Sequence, residues 1–216
     1  MESPIKDKQQ LLERRTIIDV VELRAAEDGI EYIEGYALKF NRWSESLWGG
    51  LFRETILPEA LNETDLSDVV ATFNHNNDYP LARTTVANGI GSLILSVDNI
   101  GLKYRFQPTE TSYANDLKAN LRAGVVSKSS FAFEMDYDDP DCDEWVWNDT
   151  DKIYERTIKK IRKVWDVSPV VNPAYSDTEA VIGARSLEKI EKLRQHENRS
   201  DLEIRKRRIM LELDLL

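Results

Sequence analysis

Residues 127–137 read SKSSFAFEMDY, and their alternation decides the fold class. Phe131, Phe133, Met135 and Tyr137 share one parity, while Ser130, Ala132 and Glu134 take the other. Large apolar residues at a spacing of two mark a strand with one face in a core. Working outward, GLKYRF (101–106) alternates Leu102, Tyr104 and Phe106 with polar residues, and the turn DNIG (98–101) joins it to SLILSV (92–97). TIIDVVEL (16–23) is β-branched, and IEYIEGYALKF (30–40) alternates around a glycine suited to a bend or bulge. LFRETILP (51–58) reads as strand, with Pro58 opening a short helical turn in PEALNE. SDVVATFNH (67–75) puts Val69, Ala71, Phe73 and His75 on one parity, with His75 at the strand end.

Helical spacing is clear in TSYANDLKANLRAG (111–124). Thr111 or Ser112 is placed to cap, Tyr113, Leu117 and Leu121 share a face, and Gly124 suits termination, predicting a helix over 112–122. NRWSESLWGG (41–50) reads as a loop with two tryptophans as packing anchors. The stretch from Glu134 to Asp151 lacks Lys and Arg, and its Trp145 and Trp147 favour an acidic excursion or hairpin over disorder. YERTIKKIRKVWDVSPVVNPAY (154–175) returns to the domain and ends at prolines that limit strand extension. From about Arg185 the chain is charged and helix-compatible, with Leu187, Ile190 and Leu193 as a short stripe. Three segments follow: 1–13 as a flexible start, 14–182 as one mainly β domain, and 183–216 as a charged helical tail.

With 29 basic against 39 acidic residues the net charge is −10, which argues against a general nucleic-acid surface. Neither a secretion signal nor a long apolar run stands in the sequence, so cytoplasmic synthesis without a membrane is expected. The single Cys142, in DDPDCDEW (138–145), has no partner for an intrachain disulfide and reads as an exposed thiol. Its acidic neighbours oppose thiolate formation and hence nucleophilic use. NGIGS (88–92) lacks the rest of a phosphate loop, the acidic stretch lacks calcium-loop spacing, and nothing forms a zinc set. No cofactor and no metal are expected.

The chain has two histidines, His75 and His196, the latter in the charged tail. Serine needs a base within hydrogen-bond reach to become a nucleophile, imidazole suits that role, and a third group must orient the ring. Ser130, His75 and Asp166 supply these types if their strands converge. Each residue type also fits an ordinary structural role, and Asp166 could simply pair with KKIRK (159–163). Ser127 and Ser129 compete with Ser130, Glu134 and Asp78 compete with Asp166, and no G-x-S-x-G elbow is present.

The ordered segments ERRT (13–16), IEGYALKFN (33–41), FRETILPEAL (52–61), ATFNHNNDYPLART (71–84), GLKYRF, TSYANDLKANLRAG, SKSSFAF and WDVSPVVNPAYSDT (165–178) resemble the prohead protease family typified by the HK97-like bacteriophages. Within that resemblance the histidine of F-N-H falls on His75, the serine before F-x-F on Ser130, and the acid before V-S-P-V on Asp166. Aspartate stands where glutamate is common, Ala132 where glycine is common, and Ser129 where a larger apolar residue is common. The resemblance implies a herpesvirus-assemblin-like β-barrel with surrounding helices. It also implies a serine endopeptidase inside the immature phage prohead, in the cytoplasm of a bacterial host. The implied partners are scaffold and the major capsid protein precursor, with self-cleavage and homo-oligomerisation as further expectations and no specific nucleic acid. The competing reading is a non-enzymatic capsid-assembly factor on the same fold.

Overall fold

The structure, a computed structural model, describes residues 12–17, 21–26, 29–171 and 186–194. In order come β1 (Leu12–Ile17), β2 (Glu22–Ala25), β3 (Glu31–Lys39), β4 (Phe52–Ile56), a 3₁₀ turn (Pro58–Leu61), β5 (Val70–Phe73) and β6 (Asn76–Arg83). There follow β7 (Leu93–Val97), β8 (Gly101–Phe106), α1 (Ser112–Arg122), β9 (Lys128–Met135), β10 (Asp143–Asn148), β11 (Ile153–Ile158) and β12 (Ile161–Val170). The chain divides into two compact units, Leu12–Val181 and Met1–Leu11 with Ile182–Leu216; residues 186–194 of the latter are helical. The expectations of a flexible start and of helix throughout the tail otherwise fall mostly on residues outside those described.

Among the described residues, three sheets build the larger unit: β1-β9-β12-β5-β6, β2-β3-β8-β7 and β10-β11-β4. The expected alternation holds in β9, where Phe131, Phe133 and Met135 enter the core with Val164 and Val167 of β12. Ile33, Ala37 and Leu38 of β3, Leu102, Tyr104 and Phe106 of β8, and Ala114 and Leu117 of α1 belong to the same core. Helix α1 spans the expected residues; Gly124, at φ +72°, occupies the left-handed region that ends it. The acidic stretch becomes a hairpin, β10 antiparallel to β11, and β11 runs parallel to β4.

The expectation of a β-barrel is overturned, because no sheet closes among the described residues. Closure needs a strand on both outer edges of the five-stranded sheet, β1 and β6. The outer edge of β6 instead meets the approach to α1. Thr109 N–H donates to Leu81 O at 3.1 Å, and Tyr113 Oη donates to Pro80 O at 2.8 Å. Toward β7, one isolated bridge, Arg83 to Ser92, is found among the described residues. The architecture is mainly β, in open sheets with short helices.

Two smaller expectations also change. Cys142 is buried, at 2% exposure, because it lies where β10 begins and its carbonyl accepts from both Lys159 N–H and Lys160 N–H at 2.8 and 3.0 Å. Trp43 and Trp48 are exposed rather than packing anchors, although the Arg53 guanidinium lies over the Trp43 ring. β12 ends at Val170, one residue past Pro169, where the prolines were expected to limit it.

Gly101 opens β8 opposite Lys39, close to a register shift in β3 between Tyr36 and Leu38. A Cβ there would sit 2.0 Å from Leu38 O and 2.9 Å from Lys39 Cα, both backbone atoms that cannot swing aside. Gly101→Ala is therefore expected to lose about 3 kcal/mol or more, read as a lower denaturation midpoint with unchanged m-value.

Candidate active site

Alternation gives the five-stranded sheet two unlike faces. Asp166 pairs with Ala132 and Ser168 with Ser130 across β12 and β9, while Thr16 pairs with Ser130 across β1 and β9. Directly opposed residues of antiparallel strands project to the same side. Ser130, Asp166, Ser168 and Thr16 thus share one face, and Phe131, Phe133 and Val167 fill the core from the other. Thr72 of β5 joins the polar face through a 2.7 Å hydrogen bond between its hydroxyl and that of Ser168.

His75 reaches this face by leaving strand geometry. Asn74 and His75 both have positive φ, 55° and 56°, the left-handed region that Asn and His enter more readily than most non-glycine residues. Simple alternation would send His75 with Ala71 and Phe73; two left-handed residues in succession turn it the other way. The end of β12 secures the turn. Asn74 N–H donates to Pro169 O at 3.1 Å, Val171 N–H donates to Asn74 Oδ1 at 3.1 Å, and His75 N–H donates to Ser168 Oγ at 3.2 Å.

The three residues singled out in the sequence meet here. His75 Nδ1 lies 2.6 Å from Asp166 Oδ1, and His75 Nε2 lies 2.5 Å from Ser130 Oγ. Ser130 is buried at 1% and Asp166 at 9% exposure, so little water competes for these contacts. The alternatives lie elsewhere. Ser129 Oγ donates to Tyr104 Oη at 3.1 Å on the core side, and Ser127 precedes β9. Glu134 faces Arg162 at 3.8 Å, and Asp78 sits exposed on β6.

Proton counting fixes the hydrogen-bond directions. Ser168 has one proton to give, and a carboxylate can only accept it, so the Ser168 O–H goes to Asp166 Oδ1 at 3.0 Å. The Ser168 oxygen then accepts from His75 N–H and from the Thr72 hydroxyl. An ionised Asp166 also accepts from His75 Nδ1–H, leaving Nε2 with a lone pair toward Ser130. The Ser130 hydroxyl has a second acceptor, Arg15 O on β1 at 2.8 Å. It donates to His75 when the ring is neutral and to Arg15 O when Nε2 carries a proton.

Sequence reasoning missed Thr72 and Ser168, which look like ordinary strand hydroxyls. The available signal was position: Ser168 stands two residues beyond Asp166 on one strand, hence on one face. Among the described residues no group of three His, Cys, Asp or Glu side chains is arranged to hold a metal ion, and no helix is long and apolar enough to cross a membrane.

No curated protein matches the chain. Among solved structures, that of the bacteriophage T4 capsid assembly protease, gp21, is similar at 12% identity, over 75% of this chain and 98% of that one, with a TM-score of 0.46. Residues 19–193 match the family described as caudovirus prohead serine protease, a span that includes His75, Ser130 and Asp166. The chain belongs to the caudovirus prohead serine protease family and is a serine endopeptidase.

Proposed function

We propose that Ser130 is the nucleophile of this endopeptidase, His75 its general base and then acid, and Asp166 the group that orients the imidazole. The observation carrying this reading is the unbroken chain from Asp166 through His75 to Ser130, with links of 2.6 and 2.5 Å. As Ser130 Oγ bonds to the scissile carbonyl carbon, His75 Nε2 takes the hydroxyl proton. The same proton passes to the leaving nitrogen when the C–N bond breaks. Water then attacks the acyl-enzyme, gives a proton to His75, and the ring returns it to Ser130 Oγ as the new carboxyl end departs. Asp166 stabilises the imidazolium formed in each half.

The proposed substrates are the scaffold or scaffold-like region of the major capsid protein precursor, cleaved inside the immature prohead in the bacterial cytoplasm, with self-cleavage. Confinement with packed substrate raises the effective concentration, so slow turnover on free peptides is compatible with efficient processing in particles. Residues 14–182 are proposed as the catalytic domain and 183–216 as a tail that docks on the particle or is removed there; mass spectrometry of mature particles separates these fates. Co-expression of the chain with its cognate capsid and scaffold proteins tests the whole reading. Site-specific cleavage with the unaltered chain is the expected result. Intact precursors in particles that contain the protein would reject it.

Asp166→Asn tests the orienting role. The amide removes the negative charge that stabilises the imidazolium formed in each half-reaction, so His75 takes up the Ser130 proton without its counter-charge. Cleavage is expected to fall on the order of 10⁴-fold with the fold retained. A quantitative gel assay of precursor processing checks this, and near-normal cleavage would place the orienting role on another group.

A further inference from the structure

We propose that Ser168, braced by Thr72, is a positioning residue that locks the Asp166 carboxylate and the His75 backbone into one register. The inference rests on the assignment of Ser130, His75 and Asp166 above, and it adds two residues that touch neither substrate nor the reacting atoms. Three separate parts of the site converge on the Ser168 oxygen: the Asp166 carboxylate at 3.0 Å, the Thr72 hydroxyl at 2.7 Å and the His75 backbone N–H at 3.2 Å. Ser168 and Thr72 are both at 0% exposure, so water cannot replace any of these partners without rearrangement.

The geometry gives each contact a task. Asp166 Oδ1 receives both the Ser168 O–H and the His75 Nδ1–H. A carboxylate can turn about its last bond, and a second donor on the same oxygen holds that oxygen against the ring. His75 stands at φ 56° in a sparsely populated region, and its N–H would be free to leave the turn without an acceptor. Pro169 and Val171 clasp Asn74 from the same end of β12, yet Ser168 alone among these touches both His75 and Asp166. Thr72 occupies the remaining lone pair of Ser168 with its own proton. That forces the Ser168 proton toward Asp166 and prevents the hydroxyl from turning.

Labelling of the purified full chain by a fluorophosphonate probe tests the proposal without a known peptide. Ser130 Oγ bonds to phosphorus, fluoride leaves, and His75 takes the proton, so the limiting rate of labelling reports activation of Ser130. Unaltered chain should be modified at Ser130, and Ser130→Ala should not be. In Ser168→Ala the limiting rate should fall about 100-fold with the probe's half-saturating concentration unchanged. Thr72→Val, which keeps the side-chain shape, should lower the rate less, and Thr72→Ser should restore it. Because Thr72 acts through Ser168, the double variant should be no slower than Ser168→Ala alone. The low-field proton resonance of His75 Nδ1–H should be present in the unaltered chain and broaden or vanish in Ser168→Ala.

Wild-type labelling rates in a folded Ser168→Ala chain would overturn the proposal, as would losses that multiply in the double variant. Should Ser168→Ala fail to fold, an unchanged rate in Thr72→Val would also overturn it. Absence of Ser130 labelling in the unaltered chain is a different result, removing the nucleophile assignment and this inference with it.

Discussion

Ser130→Ala is expected to reduce cleavage of the capsid precursor on the order of 10⁶-fold while the chain still folds. The size follows from what the hydroxyl does: without it no acyl-enzyme forms, and the remaining groups can only assist direct attack by water. Folding should survive because the Ser130 hydroxyl bonds only to His75 and to Arg15 O, at 2.5 and 2.8 Å. A hydrogen bond of this kind contributes about 1 kcal/mol net. The β9 ladder to β1 and β12 is made by backbone and is untouched. His75→Ala should cost a similar factor, and the double variant little more, since the two residues act as one unit. Intact-mass analysis of particles assembled with each variant reads the effect. Normal processing by folded Ser130→Ala protein would exclude Ser130 as nucleophile. Ser129 is poorly placed to replace it, since its hydroxyl is committed to Tyr104 on the opposite face.

Local periodicity made much of this fold legible. The alternation in FAFEM and LKYRF gave strands with the correct inward residues, and 3.6-residue spacing gave α1 to its ends. Sheet closure is not local. An open edge and a paired edge can carry the same alternation, so the pattern held no sign that residues 109–113, rather than a strand, meet β6. The residue types of the proposed triad were legible because histidine is scarce and the motif order narrows the serine and the acid. Their convergence was not, since it depends on β12 lying antiparallel to β9 and parallel to β5, pairings between distant segments. The turn at Asn74–His75 shows the limit most sharply. Strand parity sends His75 to the core side, and two left-handed residues in succession reverse it. The same limit applies to Cys142, whose acidic neighbours suggested exposure although the start of the hairpin buries it.

The second large effect is expected from Arg156→Met, at a cost of about 3–5 kcal/mol in stability. Arg156 is fully buried, and its guanidinium donates to Asp143 Oδ2 at 2.9 Å, Glu13 Oε2 at 2.8 Å and Glu54 Oε2 at 3.2 Å. Arg15 meets two of the same carboxylates, donating to Glu13 Oε2 at 2.6 Å and to Glu54. Burial by itself would lower the guanidinium pKa of Arg156, but Glu13 and Glu54 outweigh it and hold the group well above its ordinary range. The cluster links β1 to β4, β10 and β11, and thereby joins two sheets around the strand whose Arg15 carbonyl meets Ser130. Removing Arg156 takes the guanidinium away from three buried carboxylates, of which only Glu13 and Glu54 are shown to keep Arg15, an imbalance that methionine's packing cannot offset. Arg156→Lys should recover only part of the loss, because one ammonium cannot reproduce the planar fork that reaches three acids. If uncompensated charge is the cause, Arg156→Met combined with Glu13→Gln should be more stable than Arg156→Met alone. Urea unfolding of these three variants and of Glu13→Gln alone distinguishes these outcomes. Strictly additive losses would assign the cost to packing, and a stable Arg156→Met single variant would show that the network contributes little to holding β1 beside Ser130.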